Sequence, residues 1–151
     1  MRAVAIFSLN ACAWLLAAGS APAVQPKKAA SAGELVAKIL EAAKIPDSAA
    51  EDVKKSKENV KQWEEMLKDN KKVDPVLVVY TAKYITPAVV EQALGKPDRK
   101  TEAEVPGLLT TKGEQVKGPV YWYGTTGFNF GKTSLGGKEG EYLVVIRHES
   151  K

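Results

Sequence analysis

The spacing of apolar residues changes once along this chain of 151 residues. Before Asp98 most apolar side chains recur every three or four residues, which is typical of helices that bury one face. Beyond Asp98 they alternate, which is typical of strands with one face in a core. The pattern predicts an α+β fold in which short helices pack on an antiparallel sheet of three or four strands, preceded by a helical hairpin.

The helical hairpin is predicted over residues 31–72. Ser31 and Glu34 have the spacing of a capping box, in which a hydroxyl and a carboxylate satisfy backbone donors at a helix start. Apolar residues then follow at helical spacing until Pro46 ends the first helix.

A second capping pattern, Ser48-Ala49-Ala50-Glu51, predicts a helix that runs to about Asn70. Its apolar residues are few, and charged residues cover the rest of its surface. A stripe this narrow can pack on the rest of the domain, or it can dock on a partner or on a second copy. The stripe consists of Val53, Val60, Trp63, Met66 and Leu67.

Residues 73–151 are predicted to form the α+β domain. The β-branched run from Val76 to Tyr80 favours a strand. A short helix is predicted over Pro87–Leu94, because Thr86 suits the N-cap and proline suits the first helical position. Gly95 then suits the end of this helix.

Further strands are predicted at Thr101 to Val105, at Val120 to Tyr123, around Phe128 to Phe130 and at Glu141 to His148. The stretch from Pro106 to Pro119 contains several Gly and Pro residues and is predicted to be a long loop.

The last predicted strand has apolar groups on both faces and is therefore expected inside the sheet. Strict alternation places Tyr142, Val144 and Ile146 on one face. It places Leu143 and Val145 on the other.

Residues 1–23 are predicted to be a signal peptide. Arg2 precedes an almost entirely apolar run, and Ala21-Pro22-Ala23 is an A-x-A site, so cleavage is expected after Ala23. The apolar run is shorter than the roughly 20 residues that span a bilayer, so no stable membrane span is expected. A periplasmic or secreted protein with a flexible lead over residues 24–30 follows from this prediction.

Cys12 is the only cysteine and lies inside the predicted signal peptide. Removal of this segment leaves no disulfide or thiolate chemistry. The run Leu9-Asn10-Ala11-Cys12 loosely resembles a bacterial lipobox, whose cysteine is lipidated. Asn10 and the short run before it argue against a lipid anchor at Cys12, but the choice between a soluble and an anchored form stays open.

The charge distribution gives no sign of nucleic-acid binding. The formal net charge is +4, and neither half of the chain concentrates it. A nucleic-acid-binding protein gathers Lys and Arg into a stripe that displaces counterions from phosphates. We therefore predict no nucleic-acid partner.

No motif indicates an enzyme, a metal site or a cofactor. Gly131-Lys132-Thr133 lacks the earlier glycine that a phosphate-binding loop requires. His148 is the only histidine, so multi-histidine metal sites are excluded, and we expect it to be exposed near the C-terminus. Glu102 and Glu104 share a strand face, a pattern that is typical of a solvent-facing edge. We predict no catalytic residues, no metal and no cofactor.

An aromatic cluster is the strongest candidate for a functional site. Its members alternate along the strand, which places Trp122 on one face and Tyr121 and Tyr123 on the other. Large amphipathic rings on an open sheet face suit protein interfaces, although packing of all of them in the core stays open. The candidate interface residues are Tyr121, Trp122, Tyr123, Phe128 and Phe130.

The run from Ile85 to Pro97, ITPAVVEQALGKP, followed by Tyr121-Trp122-Tyr123, resembles the SmpA/OmlA domain. That domain occurs in the small lipoprotein of the outer-membrane β-barrel assembly machinery and shares its fold with β-lactamase inhibitory proteins. The resemblance covers about Tyr84 to Glu149. It implies a capped helix over an aromatic sheet, whereas the helical hairpin, the membrane tether and the assembly partners lie outside the shared part.

These observations together predict an exported, non-catalytic protein that binds another protein, or assists envelope assembly, through the aromatic face of its sheet. Two alternatives stay open. An inhibitor of a secreted hydrolase would use the same surface. A small-ligand or cell-wall binding module would have a concave pocket beside Trp122.

Overall fold

The computed structural model describes residues 30–69, 73–77 and 80–149. Within them the chain forms three α-helices and one antiparallel sheet. The predicted signal peptide, with Cys12, and residues 24–29 of the predicted lead lie outside the described residues.

The element order confirms the predicted α+β fold, with a helical hairpin ahead of the sheet. The sheet has four long strands and a two-residue fifth, in the order β1-β5-β4-β3-β2, and all neighbours are antiparallel. The helices are α1 (Ala32–Ala42), α2 (Ala50–Asp69) and α3 (Pro87–Leu94), and the strands are β1 (Val76–Leu77), β2 (Arg99–Leu109), β3 (Gln115–Tyr123), β4 (Thr126–Leu135) and β5 (Lys138–His148).

Two helix starts have the predicted caps. The Ser31 hydroxyl accepts the backbone N–H of Glu34 at 3.2 Å, and the Glu34 carboxylate accepts the N–H of Ser31 at 3.1 Å, which completes the capping box. At α3 the Thr86 hydroxyl accepts the N–H of Val89 at 3.4 Å. Gly95 ends this helix at a φ of 81°, which favours glycine.

The cap predicted at Ser48 is wrong. Ser48 lies inside a 3₁₀ turn, Asp47–Ala49, that begins after Pro46 and leads directly into α2 at Ala50. Such turns are common at helix starts, and this one replaces a side-chain cap with a tighter first turn.

The helical hairpin and the sheet share one core. The narrow stripe of α2 packs on its own domain, and the Trp63 indole N–H donates to the carbonyl of Asp74 at 2.9 Å. Met66 is the exception, since 52% of it is exposed. The predicted boundary at residue 73 therefore does not separate two cores. We call this shared core the helix-side core. Its buried residues are Ala32, Leu35, Val36, Ile39, Leu40, Val60, Trp63, Ile85, Val90, Phe128, Phe130, Leu143 and Ile146.

The opposite face of the sheet has a second, smaller core. Val105 is fully buried there, in a cluster with Val144 and Val145. Glycines in the neighbouring strands permit this packing. A Cβ atom at Gly131 would lie 3.3 Å from the Val105 side chain, and one at Gly118 would overlap the backbone carbonyl of β4.

A β-bulge in β5 changes the predicted alternation. The ladder pairs Val145 with Asn129 but Leu143 with Phe130, so Val144 is an extra residue. Val144 and Val145 consequently both join the second core, while Leu143 joins the helix-side core. The prediction of strict alternation is wrong here, because one inserted residue shifts every later side chain to the other face.

The long loop predicted from Pro106 to Pro119 is a hairpin. β2 continues to Leu109 and β3 begins at Gln115. The turn between them is closed by a hydrogen bond of 2.8 Å from the Thr110 N–H to the Glu114 carbonyl. Pro106 and Gly107 lie in β2, an edge strand whose register is irregular there, and such strands accommodate Pro and Gly. Gly113 lies in the turn, and Gly118 and Pro119 lie in β3.

β5 is an interior strand, as predicted. It lies between β4 and β1, and the N–H of Leu143 also donates to the carbonyl of Ile85 at 2.8 Å. Of the strand predicted from Val76 to Tyr80, Val76–Leu77 is a strand, Tyr80 lies in a turn, and residues 78–79 lie outside the described residues.

Candidate functional site

The structure divides the five predicted interface aromatics between core and surface. Phe128 and Phe130 are fully buried under the helices and cannot contact a partner, so the predicted surface is corrected to exclude them. Trp122 lies on the opposite face and is 8% exposed. Tyr121 and Tyr123 lie half-buried at the margin of the helix-side core, which confirms their predicted separation from Trp122.

Both half-buried tyrosines are anchored by the core. The ring of Tyr121 meets Phe130 edge to face at a centroid distance of 5.0 Å, and Tyr123 meets Phe128 in the same way at 5.9 Å. The Tyr123 hydroxyl donates to the carbonyl of Gly95 at 2.8 Å. Each ring therefore has a fixed apolar body and a polar end at the surface, the arrangement that lets tyrosine contribute contact area with little loss of entropy.

Burial raises the pKa of Tyr123 to about 12, and the charge of Glu91 contributes in the same direction. Its hydroxyl therefore keeps its proton at physiological pH and remains a donor to the end of α3.

Lys100 links α3 to the tyrosines. Its ammonium donates to the Glu91 carboxylate at 2.8 Å and lies 4.1 Å from the centroid of the Tyr121 ring. The hydrogen bond to Glu91 raises the pKa of Lys100, and contact with Tyr121 adds to the effect. The register explains the contact, because Lys100 of β2 lies directly opposite Tyr121 of β3.

On the opposite face of the sheet, the side chains of Arg99 and Thr101 contact Trp122. The Arg99 guanidinium lies 4.4 Å from the centroid of the Trp122 ring and also pairs with Glu149. The indole N–H donates to the hydroxyl of Thr101 at 2.8 Å. Side chains of the same chain therefore contact both the face of the Trp122 ring and its nitrogen. These contacts occupy the positions beside Trp122 where a ligand-binding module would need a pocket.

A cleft of about 360 Å³ opens beside the tyrosines, between the end of α3 and β2. It brings three cationic side chains next to one acid. Its lining residues are Glu91, Lys96, Pro97, Arg99 and Lys100.

We call the set of Glu91, Lys96, Lys100, Tyr121 and Tyr123 the basic–aromatic surface; both lysines are exposed, and the other three residues are half-buried. The aromatic members were predicted from the sequence, but the charged members were not. Lys100 and Glu91 meet only because α3 docks against β2, which is a tertiary contact that leaves no local signal.

The residue types that could serve in catalysis, His148, Glu102 and Lys132, lie on different elements. His148 is exposed, as predicted, and its ring meets Trp63 edge to face at 6.4 Å. Glu102 and Glu104 are both exposed on the edge strand β2. Lys132, from the phosphate-loop-like run, lies within β4. In the described part of the chain no three His, Cys, Asp or Glu side chains gather to hold a metal ion.

A polar network in the second core joins all four long strands. The fully buried Asn129 donates from its amide to the carbonyls of Gly118 and Pro119, each at 3.3 Å. Its oxygen accepts from Nε of Arg147 at 3.0 Å, and the same guanidinium donates to the carbonyl of Glu104. Burial lowers the pKa of Arg147, and the Glu104 charge opposes this effect. Through this network the backbone of β2 at Glu104 is tied to β5, which is not its neighbour in the sheet.

Among the helices of the described residues, none is long and apolar enough to cross a membrane. The resemblance to the SmpA/OmlA domain stays a prediction. Comparisons of the chain with protein-family models, with curated proteins and with solved structures found no match.

Proposed function

We propose that this protein is an exported, non-catalytic protein-binding domain that contacts its partner through the basic–aromatic surface. One observation carries the proposal: the rings of Tyr121 and Tyr123 are fixed against buried phenylalanines while their polar ends reach the surface. Tyrosine is enriched at protein interfaces because a rigid ring adds contact area with little entropic cost.

The charges beside the tyrosines support a partner segment with acidic groups. Lys96, Arg99 and Lys100 line the cleft, whereas Glu91 is its one acidic residue. Glu91 already accepts one hydrogen bond from the Lys100 ammonium, which has further donors for a carboxylate of a partner. Charges at the rim of an interface chiefly raise the association rate, so binding should weaken as salt increases.

Export and envelope assembly complete the proposal and rest on the sequence. The signal-peptide pattern of residues 1–23 supports a periplasmic or secreted place of work. The resemblance of Ile85 to Pro97 to the SmpA/OmlA domain, which occurs in an envelope-assembly lipoprotein, motivates a role in envelope assembly with partners other than those of that lipoprotein.

Site-specific photo-crosslinking tests the proposal. A photoreactive residue is placed at Lys100, and in a matched control at Lys112, which is also exposed but lies in the β2–β3 turn. In cells that carry the protein natively, we expect position 100 to give one adduct with a protein other than this chain, and position 112 to give none.

The adduct protein is then purified, and its affinity for the intact chain is measured with and without Lys96→Glu. We expect the charge reversal to weaken binding at least about tenfold, with a smaller difference at high salt. Equal labelling at both positions, or an affinity that Lys96→Glu leaves unchanged, would overturn the proposed surface.

A further inference from the structure

The outer edge of β2 is open. β2 is the last strand of the sheet, and it pairs with β3 without interruption from Arg99 to Glu104. All residues of this stretch are exposed except the half-buried Ala103. A strand of this kind presents backbone donors and acceptors that can pair with another strand.

The register shows which backbone groups face the open edge. The Trp122 carbonyl accepts the N–H of Asp98 at 2.8 Å, so the backbone groups of Trp122 face β2. Arg99 lies opposite Trp122, so the backbone N–H and C=O groups of Arg99 face β3. Because consecutive residues alternate, the N–H and C=O groups of Lys100 and Glu102 point away from the sheet. No backbone partner for them is found within the described residues.

The side chains along this edge carry opposite charges two residues apart. Lys100 and Glu102 lie on the same face of β2, separated by Thr101. Glu102 forms no ion pair with any described residue. In an antiparallel pairing of β2 with its own copy about Thr101, each Lys100 lies opposite Glu102 of the other copy.

We propose that the protein dimerises by antiparallel pairing of β2 with β2 of a second copy, with Thr101 on the two-fold axis. Lys100 and Glu102 of opposite copies form the hydrogen-bonded pairs, which exchange main-chain hydrogen bonds and place unlike charges side by side. The interface is isologous, as in most closed dimers. This dimer does not depend on the proposed function.

The neighbouring registers are unfavourable. An axis at Glu102 places this carboxylate against its own copy, and an axis at Lys100 does the same with the ammonium groups. An axis at Ala103 sets Glu102 opposite Glu104, and like charges directly opposite each other destabilise a strand pair. The part of β2 whose backbone is free to pair also ends at Glu104, because the Glu104 carbonyl already accepts a hydrogen bond from Arg147 of the same chain. The charge pattern thus opposes pairing in general and favours one register with a second copy.

Disulfide trapping tests the axis. Thr101→Cys and the matched control Ala103→Cys are made in the full chain carrying Cys12→Ala. At the proposed register the two Cα atoms of residue 101 lie about 4.5 Å apart, within reach of a disulfide. Those of residue 103 lie about 13 Å apart along the strands, out of reach.

On mild oxidation we expect Thr101→Cys to form a covalent dimer at least about tenfold faster than Ala103→Cys. Equal rates, faster coupling at position 103, or no dimer from Thr101→Cys would each overturn the proposal. Circular dichroism of both variants confirms that they are folded.

Charge reversal tests the pairing without a cysteine. We expect Glu102→Lys and Lys100→Glu each to shift sedimentation equilibrium towards the monomer, and the double variant to restore the dimer. Glu114→Lys, the same charge change in the β2–β3 turn, should leave the dimer unchanged. Failure of the double variant to restore the dimer would contradict the register. Because position 100 also lies in the proposed strand pairing, an adduct of twice the mass of the chain is scored as the dimer and an adduct with a different protein as the partner, so the two proposals can fail independently.

Discussion

The two faces of the sheet are covered by different kinds of structure. On the helix side, apolar side chains from α1, α2 and α3 interdigitate with Phe128 and Phe130. On the other face a small valine cluster is combined with the buried network of Asn129 and Arg147. The stability of the helix-side core depends on the volume that its apolar side chains fill. The stability of the second core depends on the close approach of backbone atoms and on paired polar groups. The two cores should therefore respond differently to substitution.

Trp63→Ala should have the largest effect, because it empties a fully buried site in the helix-side core. We expect a loss of about 3–5 kcal/mol in the free energy of unfolding, measured by guanidinium denaturation. Met66→Ala, on the same helix but 52% exposed, is the control and should change stability by less than about 0.5 kcal/mol. Similar losses in both variants would contradict the packing of α2.

Gly118→Ala should be the most damaging small substitution on the other face. An added Cβ atom overlaps the carbonyl oxygen of Phe130, and backbone atoms cannot rotate away. We expect a loss of about 3 kcal/mol, at the upper end for overpacking. Gly131→Ala, whose Cβ atom would meet side-chain atoms of Val105 and Val144, the nearest at 3.3 Å, is the matched control and should cost less because it overlaps no backbone atom. An equal melting temperature for the two variants would contradict the overlap of a Cβ atom at position 118 with the backbone of β4.

Arg147→Met should sharpen the contrast between the faces. It leaves the buried oxygen of Asn129 without its donor, which should cost about 2 kcal/mol. The double variant Arg147→Met with Asn129→Leu should lose less stability than the sum of the losses in the two single variants, because both partners of the hydrogen bond are then removed. A double-mutant cycle from urea denaturation measures the difference, and strict additivity would mean that the two side chains do not act as a pair.

Tyr123→Phe should have the smallest effect at neutral pH, about 1 kcal/mol, for the hydrogen bond to Gly95. Its pH dependence is more informative. The pKa of Tyr123 is raised from 10.0 to about 12 on folding, so the neutral form contributes stability that is present below pH 10 and lost as pH rises towards 12. Urea denaturation across this window should show a shallower decline for Tyr123→Phe than for the unmodified protein. Parallel curves would exclude Tyr123 as a source of the decline.

Local signals predicted the helix-side face well. The caps at Ser31 and Thr86 depend on residues within one turn of the chain, and both are present in the structure. Alternation also separated Trp122 from Tyr121 and Tyr123, because β3 is regular from Val120 onward. Local chemistry and side-chain period were enough for these features.

Three further features, on both faces of the sheet, have no local signal. The bulge at Val144 changes the period of β5 within an otherwise ordinary apolar run. The contact of Lys100 with Glu91 requires both the β2–β3 register and the docking of α3. The burial of Phe128 follows from helices that precede it by many residues. Each of these arises when distant segments meet, so the charged part of the candidate site could not be predicted from spacing alone.

The two-residue strand β1 limits how large an assembly this sheet can build. Together with the carbonyl of Ile85, it occupies the backbone of β5 from Leu143 to Ile146, on the side of the sheet away from β2. A strand can therefore be added at β2 but not at this part of β5. In a second molecule bound at β2, the outer side of the sheet is again this covered part of β5. If two copies pair through β2 as proposed, the backbone of β5 from Leu143 to Ile146 offers no open strand to a third molecule, which favours a closed pair over a fibre.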